Sequence, residues 1–284
     1  MITSFLIYGI AIPLSVTIIS LAALHTLRLH DGARSISGGV GGLTALVFAF
    51  GMPGIPPAEF AHSLILISSV IILGAVVATK YEFTTERMDR ILFSLALLLP
   101  FAAIAWQMNA NGLSWVDKFT DTGLWLTVSA CFLLGTLGWT MTSSRETRRA
   151  AGWTLSLALM ATGITLLVTN SARLGQVLVG CSLSILITRL IAKTDGAEQR
   201  LLAVGLSFLV GLIVYAQAFV ELPATVAATL LVIPMIAIGA REDDQRRHQI
   251  AAVVLACCLA GASVGIAVDA QEAQPSIEEY EDYE

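Results

Sequence analysis

Apolar residues in this chain come in runs of roughly twenty, each long enough to cross a ~30 Å hydrocarbon core as a helix, with short polar segments between them. The pattern turns on SSRETRRA at 143–150, which lies mid-chain with apolar runs on both sides and carries Arg145, Arg148 and Arg149. Counting outward from it, the pattern predicts spans over about 3–27, 36–52, 58–79, 91–108 and 122–142 before this loop. The stretch 151–191 is interrupted by Asn170 and Arg173 well before Arg189 near its end. As one helix it would be about 60 Å long, twice a bilayer core, so it crosses twice and turns at NSAR. Spans over 201–220, 223–240 and 249–268 complete ten crossings. The expected fold is therefore all-α: a polytopic membrane protein of about ten transmembrane helices.

The loops supply an internal test of that count, because one missed or invented span would exchange the sides of every later loop. The odd-numbered loops hold fourteen of the sixteen Lys and Arg residues, including LRLHDGAR with Arg28 and Arg34 and KYEFTTERMDR with Lys80, Arg87 and Arg90. The even-numbered loops hold only Lys118 and Arg173. By the positive-inside bias the odd loops are cytoplasmic, and both termini lie outside. The predicted organisation is a five-helix half at 1–142, a cytoplasmic loop at 143–150, a second five-helix half at 151–268, and an acidic external tail at 269–284. Two halves of five spans have opposite orientations, the arrangement of inverted-repeat transporters. The fourth span reads ALLLPFAAIA around Pro100 and the ninth LLVIPMIAIG around Pro234. A proline inside a helix removes one backbone hydrogen bond, so both positions are expected to kink their helices, and the two spans are expected to meet at the centre of the bundle.

Composition sharpens this picture. Charged residues make up 13% of the chain and mean hydropathy is +0.79, whereas a soluble domain is about 25% charged. Net charge is −5. Seven acids and no base fall in residues 269–284, leaving fourteen acids against sixteen bases, so the membrane body is weakly positive. The tail QEAQPSIEEYEDYE has too few apolar residues to fold alone and is expected to be solvated outside, or to engage a membrane or extracytoplasmic protein partner. Nucleic acid is not an expected partner; the bilayer is. Cys131, Cys181, Cys257 and Cys258 lie within apolar runs without metal-type spacing and read as packing residues.

Candidate chemistry is sparse. None of the 37 Asp, Glu, Lys and Arg residues lies near a span centre, which argues against ion coupling through a buried carboxylate. No HExxH, GxSxG or aspartate pair appears, so neither an enzyme nor a cofactor is expected. Glu59 and His62 are spaced i, i+3, but no second such motif accompanies them, and no metal is expected. Polar side chains instead collect at the external ends of the spans, where Glu59, His62, Gln107, Gln217 and Glu221 form the expected substrate pathway. Gln217 is the deepest of these on its helix; its amide serves either a solute or a neighbouring helix. Ser129, Thr136, Thr162, Thr165, Ser182 and Ser184 are expected to bond to their own helix backbone. The expected function is a small-molecule permease or flippase-like transporter of the plasma (inner) membrane. The alternative is a non-catalytic membrane subunit or scaffold.

Overall fold

A computed structural model describes residues 5–26, 36–53, 60–80, 86–112, 121–143, 145–169, 171–192, 198–220, 222–239 and 245–272. Within them all regular structure is helical. A π-helical turn, Phe5–Ala11, leads into α1 (Ile12–Thr26); α2 (Ser37–Phe50), α3 (Phe60–Lys80), α4 (Glu86–Ala110) and α5 (Asp121–Ser143) follow. Beyond the central loop come α6 (Arg145–Val168), α7 (Ala172–Ala192), α8 (Glu198–Phe219), α9 (Ala224–Val232), a 3₁₀ segment Ile233–Gly239, and α10 (Gln245–Glu272).

Among the described residues, seven stretches are long and apolar enough to cross a membrane, at 9–26, 60–77, 90–110, 150–168, 172–191, 200–219 and 250–269. Three apolar stretches are shorter, at 37–50, at 125–135 inside the longer α5, and at 224–238. Their limits have local causes. The chain leaves α2 at Gly51, whose φ of 84° is costly for any other residue type. Beyond α9 the helix tightens from α to 3₁₀ geometry at Ile233, beside Pro234. Around Pro100, by contrast, α4 continues as one helix.

Helix α8 is the axis of the bundle. Its sequence from Leu201 to Val214 is apolar on every side, the signature of a helix enclosed by others, and 94% of the window 200–219 is buried. Helices α3, α4, α6 and α7 surround it. Small residues set how closely they approach. A Cβ at Gly205 would lie 2.6 Å from Ile185 Cδ1, and one at Gly211 would lie 2.6 Å from Leu64 Cδ1 and 3.5 Å from Pro100. Without a hydrophobic driving force between helices in lipid, such close packing is a main source of association. Helix α7 joins α6 to α2, and at its contact with α6 a Cβ on Gly175 would meet the Gly163 carbonyl oxygen at 2.7 Å. Helix α10 rests on α6 and the α9 rod at the margin, with 22% of its window buried.

The two proline-bearing rods do not form the expected central pair. Helix α4 and the α9 rod share no extended interface; each packs on α8 instead. Pro100 lies against Gly211, whereas Pro234 faces Leu202 and Leu206, lower on the same helix.

Candidate functional site

An apolar concavity is formed by α4 and α5. Ser94, Leu97, Leu98 and Phe101 line one wall and Val128, Cys131, Phe132 and Gly135 the other. Both sets follow i, i+3, i+4, i+7 spacing, so each wall is one continuous helix face about 10 Å long. Leu97 and Cys131, each 9% exposed, make the floor; Leu98 at 65% and Phe132 at 76% form the rims. The helices are consecutive in the chain and run antiparallel, which places Ser94 with Gly135 at one end and Phe101 with Val128 at the other. A Cβ at Gly135 would find no neighbour within 4 Å, so glycine there leaves space rather than filling it. The volume of this open groove is about 670 Å³, within the ~300–1,000 Å³ range of small-molecule sites. Ser94 supplies the one side-chain hydroxyl in an otherwise apolar lining.

Of the five polar residues expected to form a pathway, His62, Gln107 and Gln217 are described, and the side chains of His62 and Gln217 make hydrogen bonds between elements. His62, half-buried in the first turns of α3, donates Nε2–H to the Phe50 carbonyl at 3.2 Å, closing the end of α2. Its Nδ1 is buried without a hydrogen-bond partner. Gln217 is 7% exposed, and its Oε1 accepts the Thr127 hydroxyl at 2.8 Å, tying α8 to α5. Gln107 is 5% exposed on α4, and its backbone carbonyl accepts from Asn111 Nδ2 at 2.7 Å. These three side chains occupy one end of the packed α3, α4 and α8 trio, where Phe60 stacks on Tyr215 at 5.0 Å. Glu59 and Glu221 lie outside the described residues, as does the acidic tail from residue 273 onward, whereas its first four residues, 269–272, continue α10 as helix.

The buried hydroxyls diverge from their expected roles. Thr162 bonds to the Ala158 carbonyl of its own helix as expected, but Ser182 donates across to the Ser156 carbonyl on α6 at 2.7 Å. The hydroxyls of Thr165 and Ser184 have no hydrogen-bond partner, nor do those of Ser37 and Thr188, which lie with Ser184 along the α2–α7 contact. That contact has no room for a solute: a Cβ on Gly38 would be 2.9 Å from Thr188 Oγ1, and one on Gly41 would be 2.6 Å from Ser184 Oγ. Near Pro234 a void of about 10 Å³, bordered by Phe93, Leu137, Ala151, Leu155, Leu202 and Leu206, is apolar and no larger than one water, so it stays dry. Cys131 and Cys181 pack inside as expected, whereas Cys257 and Cys258 are exposed on the outer side of α10.

The α4–α5 groove escapes a reading of sequence because leucine and phenylalanine are ordinary on a membrane helix. The available signal is the pair of small residues, Ser94 and Gly135, at matching depths of consecutive spans. Comparison with models of known families, curated proteins and solved structures finds no match to this chain.

Proposed function

We propose that this protein crosses the plasma (inner) membrane ten times, with both termini outside and two inversely oriented halves of five helices. We further propose that it moves a small amphipathic solute: a permease or flippase-like transporter without buried-carboxylate ion coupling. The shorter apolar stretches at 37–50, 125–135 and 224–238 are counted as crossings because the alternation of basic loops requires them. One observation carries the functional reading, the apolar groove between α4 and α5. An opening on the flank of a membrane bundle faces acyl chains, so whatever enters it arrives sideways from the bilayer and presents hydrocarbon. The tight contacts around α8 leave the centre of the bundle to side chains.

The reading is tested with purified protein in phosphatidylcholine vesicles holding a fluorescent phospholipid, using dithionite to report its passage between leaflets. Transbilayer movement should exceed that of protein-free vesicles and fall in Gly135→Leu, which fills the groove where a side chain has space. Movement at the protein-free rate favours the alternative, a non-catalytic membrane subunit or scaffold. That alternative draws support from His62 and Gln217, whose hydrogen bonds join helices rather than face a passage.

A further inference from the structure

We infer that the start of α2 is a binding site for a small monovalent inorganic anion of the chloride class, held by first-turn backbone N–H groups and by the hydroxyls of Ser37 and Thr188. The site lies apart from the α4–α5 groove and does not depend on the transport reading. Helix α2 begins at Ser37, behind Ile36, whose side chain has no oxygen and makes no cap hydrogen bond. The first N–H groups of a helix have no acceptor within it. Here Ile36, Ser37, Gly38 and Gly39 are all buried, so bulk water does not serve them, and a buried backbone donor without an acceptor is costly.

Two hydroxyls meet the same turn. Ser37 and Thr188 are fully buried, and neither hydroxyl has a hydrogen-bond partner. A Cβ on a helix tilts back toward the N-terminus, and the Cβ position of Gly38 lies 2.9 Å from Thr188 Oγ1. The α7 hydroxyl therefore stands beside the opening turn of α2, on the side toward which its N–H groups point. One turn further in, the helices close up: Ser184 Oγ lies 2.6 Å from the Cβ position of Gly41. A ligand is thus confined to the end of this seam and must be small. Glycine at 38 and 39 leaves the backbone uncovered for close approach. Donated N–H and O–H groups, together with the positive end of the helix dipole, suit an anion and repel a cation. Because desolvation grows with the square of the charge, this buried set of neutral donors favours one negative charge over two.

The test is equilibrium binding of radioactive chloride to the purified full chain in detergent, read by scintillation proximity in gluconate buffer of constant ionic strength. Binding should saturate at about one chloride per chain. Thr188→Val and Ser37→Ala should each weaken it about tenfold, as expected for the loss of one hydrogen bond to a charged acceptor. Thr188→Ser keeps the hydroxyl and should bind close to wild type. Thr162→Val removes a buried hydroxyl that bonds to its own helix and should leave chloride binding unchanged. Sulfate at equal concentration should not displace the chloride. Absence of saturable binding, or wild-type affinity in both Thr188→Val and Ser37→Ala, overturns the site, and displacement by sulfate overturns the assignment of a single charge. Thermal melts in gluconate identify a variant that has lost its fold, in which case the other hydroxyl variant decides.

Discussion

The Thr127–Gln217 hydrogen bond gives an asymmetric prediction for two isosteric substitutions. Thr127→Val removes the hydroxyl that Gln217 Oε1 accepts, leaving that oxygen on a side chain only 7% exposed. A buried acceptor deprived of its donor costs ~1–3 kcal/mol. Gln217→Leu has a milder consequence, since the Thr127 hydroxyl also lies 2.9 Å from the Gly123 carbonyl and can donate there. Its cost should be near the ~0.6 kcal/mol average for an interhelical polar pair in membrane proteins. With Gln217 already replaced, Thr127→Val strands no amide, so the double variant should resemble Gln217→Leu alone. The two substitutions should therefore couple by ~1–3 kcal/mol, the whole cost of stranding the amide oxygen. Unfolding in mixed micelles by increasing the sodium dodecyl sulfate fraction, followed by circular dichroism, measures all four corners of the cycle. Additive costs would refute the bond as the link between α5 and α8. A Gln217→Leu variant with wild-type stability but no transbilayer lipid movement would instead return the amide to a solute.

Two further predictions concern packing and topology. Gly175→Ala should cost ~1–3 kcal/mol, because its Cβ meets a backbone oxygen at 2.7 Å. Gly211→Ala should cost less, as a leucine methyl can shift aside, and Gly135→Ala should be neutral or stabilising; the reverse order in the same unfolding assay would discard this account of helix contacts. Single cysteines at Ser114 and Ser144, introduced after replacing the native four, should react with an impermeant reagent in intact cells at Ser114 only, and reaction at Ser144 alone would invert the topology.

The apolar runs and their breaks were legible because burying backbone in lipid requires long uninterrupted helices, and Pro53, the NSAR turn and the arginine-bearing loops mark where they stop. The direction each helix faces was much less legible. In water a helix advertises its buried side by polarity, but Phe132 at 76% exposure and Phe208 at 0% are equally apolar residues in equally apolar surroundings. Periodicity cannot separate lipid from core there, and the groove between α4 and α5 was invisible for that reason. Glycine carries part of the missing information, yet its reading depends on what lies opposite: Gly175 admits a backbone, Gly211 a leucine methyl, and Gly135 open space. Polar side chains carry the same ambiguity. Gln217 near the end of an apolar span signals only that an amide needs a partner; which partner depends on the depth of Thr127, ninety residues away on α5. Pro100 and Pro234 show the limit most clearly, since similar flanking sequences predict a shared central position, whereas α8 interposes itself and receives them at different levels. Within the bilayer, the choice of neighbours is thus settled by small-residue fit and sparse hydrogen bonds between distant parts of the chain.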